Sequence, residues 1–186
     1  MTRVTIIVGG NSVASRLTGV LEYTTNYLEK EKVDIKIIQV HQLPSDALIT
    51  ADFTNEAIKS AQQHVEESEG VIFLTPIYKA SYSGILKTFI DLLPQKALKG
   101  KEVLPLVLGG TYGHLLVIDY VLKPVLMTLG TTTIQNGVFV LDKQVTKQEK
   151  ATYFLDEDSQ KRLDYALEQF KISLGGKNSD YYVKYS

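Results

Sequence analysis

The sequence contains no cysteine and no tryptophan, and only three of its 186 residues are histidines. Without cysteine, disulfide bonds, thiolate nucleophiles and cysteine-ligated metal sites are excluded. A metal site with so few histidines would depend on carboxylate ligands. An excess of charge of one sign is also lacking, because 20 basic residues oppose 21 acidic ones and the formal net charge is -1. This balance provides no bulk attraction to nucleic acid or to an anionic membrane surface.

Long hydrophobic runs are absent as well. No apolar stretch approaches the roughly 20 residues that a transmembrane helix needs, and a strand pattern begins at Val4 without a cleavable signal before it. We therefore expect a cytoplasmic protein without membrane or nucleic-acid partners. With 44% hydrophobic types, residues 1–174 are predicted to form one domain with a buried core. Residues 175–186 form a polar, tyrosine-rich tail, which is either disordered or packed on a neighbouring subunit.

Short apolar segments alternate with segments of helical periodicity along the chain. Five of them are predicted as strands, at residues 4–8, 33–40, 70–75, 103–108 and 132–140. Helices are expected between them and at 157–174, with a polar loop at 42–54 and an interruption at Pro124 within the helix 115–129. Apolar strands separated by helices indicate a parallel sheet covered on both faces. The predicted α/β fold is a flavodoxin-like three-layer sandwich with a five-stranded parallel sheet in the order 2-1-3-4-5. Another three-layer fold, such as half of a Rossmann domain, is the alternative.

The loop after the first predicted strand has the composition of a phosphate site. In an open parallel sheet, ligands bind beyond the carboxyl ends of the strands, where the strand order reverses. Residues 9–18 place two glycines, hydroxyl side chains and a cation at the start of a helix. Free amides and the positive end of the helix dipole suit this loop to a phosphate. Ser12, Ser15 and Thr18 could donate hydroxyl hydrogen bonds and Arg16 a charge-assisted contact. Alternatively, Ser15 is only the helix N-cap.

Two further loops at the same edge suit a planar heterocycle. Residues 75–84 contain two tyrosines, Lys79 and several free amides, the mixture of apolar faces and polar edges that a planar polar heterocycle requires. The alternative is a surface loop whose tyrosines pack on the adjacent helix. Residues 109–114 contain three glycines, which allow close approach of the backbone to a ligand, and His114 either contacts that ligand or caps the next helix. The three loops together describe a site for flavin mononucleotide (FMN).

Residues 75–94 and 109–124 resemble the flavin loops and following helices of NAD(P)H-dependent FMN reductases in the flavodoxin-like superfamily. More narrowly, they resemble the reductase component of two-component alkanesulfonate monooxygenase systems. The resemblance implies hydride transfer from NADPH or NADH to FMN, with no side chain acting as catalytic acid, base or nucleophile. It also implies a homodimer or homotetramer and a partner monooxygenase that uses reduced FMN.

The resemblance also assigns residues to roles. Ser15 matches the serine that binds the phosphate. The segments on the two sides of the isoalloxazine ring, with His114 just beyond, are Pro76, Ile77 and Tyr78 and then Gly109, Gly110 and Thr111. Tyr120 falls where the subfamily inserts a tyrosine, forming a π-helical bulge at a tetramer interface. Otherwise Tyr120 is an ordinary interface or core aromatic.

The first loop departs from the family pattern, which usually reads Gly-Ser-x-Arg. The matching positions are Gly9, Gly10, Asn11 and Ser12, so a hydroxyl and a guanidinium are missing. Each lost charge-assisted contact would weaken phosphate binding by roughly 1.5–3 kcal/mol, and low affinity suits an enzyme that releases its flavin. Two alternative functions stay open. One is a flavoprotein that keeps FMN and reduces quinones, azo or nitro compounds, and the other is a non-enzymatic flavin-binding electron carrier.

Overall fold

The computed structural model describes residues 2–148 and 152–176. Its strands, in chain order, are β1 (Arg3–Val8), β2 (Asp34–Gln39), β3 (Gly70–Tyr78), β4 (Ser81–Tyr82), β5 (Glu102–Gly109), β6 (Thr133–Ile134), β7 (Val138–Leu141), β8 (Val145–Lys147) and β9 (Tyr153–Leu155). The α-helices are α1 (Arg16–Lys30), α2 (Ser45–Thr50), α3 (Glu56–Glu66), α4 (Gly84–Ile90), α5 (Lys123–Thr128) and α6 (Glu157–Gly176). Single 3-10 turns cover Val40–Gln42, Tyr112–His114 and Asp142–Gln144, and a π-helix covers Ile118–Leu122.

The central sheet has parallel strands in the order β2-β1-β3-β5, with β6 and β7 both paired to the outer side of β5. Side chains alternate between its two faces, as the pleat of a strand requires. Along β3, Ile72 and Leu74 join a core formed with α1 and α6, whereas Val71 and Phe73 join a core formed with α2 to α5. The predicted flavodoxin-like α/β sandwich and its strand order are confirmed. Within the described ranges, no helix combines the length and apolarity needed to cross a membrane.

The fifth predicted strand is divided into β6 and β7. Pairing of β6 with β5 ends at Val103 and pairing of β7 resumes at Leu106, so residues 135–137 lie opposite only two residues of β5. Pro105 has no N–H for the ladder, and a Cβ at Gly137 would lie 2.7 Å from the Pro105 carbonyl oxygen. The break is therefore a bulge that proline and glycine permit.

Two other predictions were wrong in detail. The segment 42–54 is not only a loop, because it contains α2, whose Ala47 and Leu48 are buried in the core. The interruption expected at Pro124 occurs earlier, at the π-helix, and Pro124 lies in the first turn of α5. α5 continues directly from the π-helix, so Pro124, which has no N–H to donate, lies where the hydrogen bonds change from the π-helical to the α-helical spacing. The last helix continues to Gly176, two residues into the tail predicted at 175–186, and residues 177–186 of that tail lie outside the described residues.

A hairpin that the sequence analysis did not predict, formed by β8 and β9, packs against α1. Val145 pairs with Leu155 and Lys147 with Tyr153. The close approach depends on Gly19 in α1, because a Cβ there would lie 2.6 Å from Tyr153 Cβ and 3.0 Å from Val145 Cγ1. The glycine thus lets the hairpin lie directly over the N-terminal half of α1.

A hydrogen-bonded cluster around Gln144 holds the base of this hairpin. The buried Gln144 side chain accepts from Leu141 N and from Arg162 Nη2, both at 3.0 Å, and donates to Asp156 Oδ2 at 3.1 Å. Burial would raise the pKa of Asp156, but hydrogen bonds from Ser159 and Gln144 outweigh it and hold this pKa below its ordinary value. Asp156 is therefore a charged acceptor at neutral pH. Through Gln144, which also accepts from Leu141 N, it fixes the position where the chain leaves β7.

We expect Gly19→Ala to destabilise the protein, although alanine is favoured over glycine inside a helix by about 1 kcal/mol. The new Cβ would force α1 and β9 apart, because it would lie 2.6 Å from Tyr153 Cβ. The midpoint of thermal unfolding, followed by circular dichroism, should fall by roughly 2–8 °C, for a loss of about 1–2 kcal/mol. Gly84→Ala is the control, since a Cβ at Gly84 meets nothing within 4 Å. A midpoint unchanged or raised in Gly19→Ala would contradict this account of the packing.

Candidate functional site

The carboxyl edge of the sheet contains a cavity of about 330 Å³. Four segments contribute to its wall: the start of α1, the end of β3, the end of β5, and the chain after β7. The lining residues are Gly10, Asn11, Ala14, Ser15, Arg16, Leu17, Pro76, Ile77, Tyr78, Leu108, Asp142 and Lys147. Larger grooves lie elsewhere on the surface, including one of about 570 Å³ between α3 and residues 94–101. The topology of a doubly wound sheet nevertheless places its ligand at the carboxyl edge.

Ser15 carries the strongest indication of a ligand. It precedes α1 with the extended backbone of an N-cap residue (φ −124°, ψ 161°), but its side chain makes no capping hydrogen bond. Its Oγ is buried and has no hydrogen-bond partner. The first turn of α1 has no acidic residue to compensate the helix dipole. An unsatisfied buried hydroxyl at an uncompensated helix N-terminus fits a bound anion, so the N-cap interpretation explains the position of Ser15 but not its side chain.

The other predicted phosphate ligands have partners within the protein. Ser12 Oγ accepts from Ala14 N at 3.0 Å, and Thr18 Oγ1 donates to the Val13 carbonyl. Both residues therefore shape the loop and do not line the cavity. Arg16 lines the cavity, but its Nε donates to the Val145 carbonyl at 3.0 Å, which ties the guanidinium to the hairpin of β8 and β9.

The segment 75–84, predicted as an open loop, is a β-hairpin. β3 extends to Tyr78 and the chain returns through Lys79 and Ala80 into β4. Lys79 and Ala80 have φ values of 49° and 60°, as a two-residue hairpin turn of this type requires, although side chains disfavour this region. The turn places Lys79 at an exposed tip, so this predicted ligand does not line the cavity.

The two tyrosines of this hairpin have different environments. Tyr78 is 51% exposed and lines the cavity together with Pro76 and Ile77. Tyr82 is partly buried and packs against the core on the α4 side, and this burial raises its pKa. The alternative in which both tyrosines pack on the helix therefore holds for Tyr82 alone. Tyr78 presents a half-open aromatic wall to the cavity.

The glycine-rich loop after β5 lies beside the cavity. A Cβ at Gly109 would lie 2.6 Å from Cζ of Phe139, so the glycine lets the β7 ring pack under the loop. Gly110 is exposed and faces Asp142, whose Oδ2 would lie 3.7 Å from a Cβ there. Thr111 caps the 3-10 turn that contains His114 by accepting from Gly113 N. His114 is the last residue of this turn and does not cap the helix that follows, whose N-cap position is Val117.

A buried pair of hydroxyl groups joins the first two loops. Ser83 Oγ donates to the Gly9 carbonyl at 2.6 Å and accepts from Leu86 N at 3.1 Å, while Ser83 N donates to Thr75 Oγ1 at 3.1 Å. A Cβ at Gly9 would lie 2.7 Å from Leu86 Cβ, so the glycine allows this approach. Sequence reasoning treated Thr75 and Ser83 only as parts of a loop. The available signal was Ser83 one residue before a helix, which is the position of an N-cap.

Asp142 and Lys147 were also missed. They follow the last strand of the sheet and bring a carboxylate and an ammonium group into the cavity wall. The same topological rule that selected the other loops applies to the end of this strand, but the hairpin that carries Lys147 had no recognisable turn signal.

Tyr120 lies in the π-helix, as the resemblance implied. The N–H of Lys123 donates to the carbonyl of Ile118, five residues earlier. Tyr120 is 75% exposed, and Leu116 and Met127 nearby in sequence are 61% and 62% exposed. This exposure excludes Tyr120 as a core aromatic in the isolated chain.

A parallel α/β sheet with a helix N-terminus that has no side-chain cap, and an aromatic wall at its switch point, is the arrangement of flavodoxin-like nucleotide-binding proteins. Comparison with known proteins narrows this class. The model of the family "NADPH-dependent FMN reductase" matches residues 2–146. The chain belongs to this family, which confirms the resemblance found in the sequence.

Individual relatives agree with the family. The FMN reductase (NADPH) of Escherichia coli is 42% identical over 168 residues, covering 90% of this chain and 87% of the relative. The FMN reductase (NADPH) of Pseudomonas putida is 39% identical and covers 91% and 87%. Among solved structures, the apo form of the NADH:FMN oxidoreductase EMOB superimposes with a TM-score of 0.83 at 34% identity, covering 93% of this chain and 90% of that chain.

We expect Ser83→Ala to weaken both the fold and the site, because Ser83 holds the Gly9 carbonyl and caps α4 with one hydroxyl. Loss of these buried hydrogen bonds should lower the free energy of unfolding by about 1–3 kcal/mol, as measured by urea denaturation. Ser81→Ala, two residues earlier in β4, is the matched control and should change it by less than about 0.5 kcal/mol. Equal stability of the two variants would show that the network does not hold the loops together.

Proposed function

We propose that this protein is an NAD(P)H-dependent FMN reductase that binds FMN at the carboxyl edge of the sheet. The buried, unpartnered hydroxyl of Ser15 at the N-terminus of α1 carries this proposal. It can donate a hydrogen bond to a phosphate, and no group among the described residues accepts that hydrogen bond. Arg16 lies in the same wall. Family membership and the names of the relatives support the same activity.

In this proposal, two groups of residues bind different parts of the flavin. Ser15, Arg16 and the amides at the start of α1 would hold the phosphate. Pro76, Ile77 and Tyr78 would lie along the ring, with 109–111 and His114 on its other side. FMN, when bound, accepts the hydride of the reduced nicotinamide, so the protein has to bind and orient but needs no catalytic acid or base. The half-exposed Tyr78 leaves one side of the site open to a second substrate.

FMN is, in this proposal, a substrate that is exchanged in each turnover. The first loop lacks the hydroxyl and guanidinium of the family pattern at Gly10 and Ser12, so the loop itself provides fewer contacts to the phosphate. We further propose that reduced FMN is released to a partner monooxygenase, as in two-component systems. This step rests on the sequence resemblance. A cytoplasmic location and a single domain at 1–174 belong to the same proposal.

Oxidation of NADPH and of NADH should depend on added FMN. We expect no turnover without FMN and saturation as FMN is titrated, followed aerobically at 340 nm. Ser15→Ala should raise the FMN concentration at half-saturation by about 3- to 10-fold, because one hydrogen bond to a charged group is lost. Ser81→Ala is the control and should leave the FMN requirement unchanged.

Other outcomes of this titration identify the alternatives. A rate independent of added FMN in a protein that stays yellow through gel filtration would show a permanently held flavin and favour a quinone, azo or nitro acceptor. Failure to oxidise either nucleotide at any FMN concentration would contradict reductase activity and favour a flavin-binding electron carrier.

We also propose a homotetramer with Tyr120 at a subunit interface. The exposed side chains of Tyr120, Leu116 and Met127 support it, since such apolar surface is buried when subunits associate. Light scattering of the native protein should give four times the monomer mass. We expect Tyr120→Ala to shift the protein to a smaller assembly. Tyr165→Ala, at a tyrosine on α6 that is 63% exposed, should not, and a native monomer would contradict the proposal.

A further inference from the structure

Lys147 lies in the same cavity wall as the proposed phosphate donors. It is the last residue of β8 and its side chain forms part of the cavity wall that also contains Ser15 and Arg16. Its Nζ is 3.5 Å from the carbonyl oxygen of Ala14, immediately before Ser15. The same Nζ lies 5.9 Å from the centre of the Tyr153 ring, across the hairpin. The ammonium group is thus held over the N-terminal end of α1.

Three charged side chains line the cavity, and their positions differ in what they can contact. Arg16 and Lys147 are basic and Asp142 is acidic among the lining side chains. Asp142 lies towards Gly110, 3.7 Å from the position of a Cβ there, which is the loop assigned to the ring. Arg16 has its Nε engaged by the Val145 carbonyl, so part of its guanidinium serves to attach the hairpin. The first loop itself offers Gly10 and Ser12 where the family pattern has a hydroxyl and an arginine.

We propose that Lys147 binds the phosphate of FMN and replaces the guanidinium that the first loop has lost. The inference rests on the proposed function, because it assigns one contact to the same FMN site. In this proposal, the positive charge comes not from the loop after β1 but from the β8–β9 hairpin, because Lys147 lies 133 residues after Ala14 in the chain.

Three features fix the hairpin in the position that this role needs. Arg16 Nε binds Val145 O at 3.0 Å at one end of β8. Gly19 lets Tyr153 contact α1 without a clash. Gln144 is locked by Arg162 and Asp156 at the base. Lys147 therefore extends from an anchored backbone, although its side chain is exposed.

A lysine at this place gives a different kind of contact from an arginine in the loop. An ammonium group on a flexible stem is a point charge, whereas a guanidinium makes a planar two-point contact with phosphate. Because Lys147 is exposed, its attraction for phosphate is screened by salt. FMN affinity should therefore fall with ionic strength, and part of that dependence should belong to Lys147.

The test compares Lys147→Gln with Lys143→Gln, which removes an equal charge from an exposed lysine outside the cavity wall. Dissociation constants for FMN and for riboflavin, which lacks the phosphate, are measured by flavin fluorescence at low and high salt. We expect Lys147→Gln to weaken FMN binding by about tenfold, to leave riboflavin binding unchanged and to reduce the salt dependence. Lys143→Gln should resemble the native protein, and thermal unfolding verifies that both variants are folded.

An equal loss of affinity for FMN and riboflavin in Lys147→Gln would overturn the proposal, because a merely structural hairpin would affect both flavins. Unchanged FMN affinity would overturn it as well. Adding Ser12→Arg to Lys147→Gln should restore FMN affinity at least in part, and no gain would contradict the replacement. If the native protein fails to bind FMN at all, the proposed function fails, which is a different result from a native protein that binds FMN equally well without Lys147.

Discussion

The register of the three central strands is the constraint on which the site depends. Val8 pairs with Leu74 and Leu74 with Leu106, so β1, β3 and β5 leave the sheet at one edge. Their loops are then brought together whatever their own conformations. Side chains buried on both faces of the sheet hold this register, because a slip of one residue would exchange the two faces. The hydrogen bond between Ser83 and the Gly9 carbonyl, which joins the first two loops, depends on that alignment.

In the proposed function, the phosphate end of the site is divided between two elements that are distant in the chain. The start of α1 supplies amides, a helix dipole and the Ser15 hydroxyl. The hairpin of β8 and β9 supplies Lys147 and is bound in turn by Arg16. This division gives Arg16 two functions, attachment of the hairpin and a share of the positive charge. It also explains how a loop without the family's arginine still lies in a cavity with cations in its wall.

The part of the site proposed to hold the flavin ring is packed against β7 on one side and open to solvent on the other. Gly109 lets the Phe139 ring pack directly under the third loop, while Thr75 and Ser83 fix the hairpin that carries Tyr78. The strained turn at Lys79 and Ala80 is maintained because β3 and β4 pair on both sides of it. A rigid floor combined with a half-exposed aromatic wall suits a flavin that must meet a second substrate and then leave.

Local pattern in the sequence determined the alternation of strands and helices, the two covered faces, and the presence of Ser15, Arg16 and residues 76–78 at one edge, while the strand order followed from the fold class that this pattern matches. Apolar periodicity and loop composition indicate these features because each signal lies within a short segment of the chain. Two local details were also beyond the sequence pattern, namely that Ser15 makes no capping bond and that Thr111 accepts from Gly113 N. The tertiary structure alone decided that Lys147 reaches the cavity. It also decided the bulge opposite Pro105 and the hairpin over Gly19. These depend on contacts between segments tens to more than a hundred residues apart, where a missing Cβ or N–H on one segment sets the path of another, and no local pattern records such a pairing.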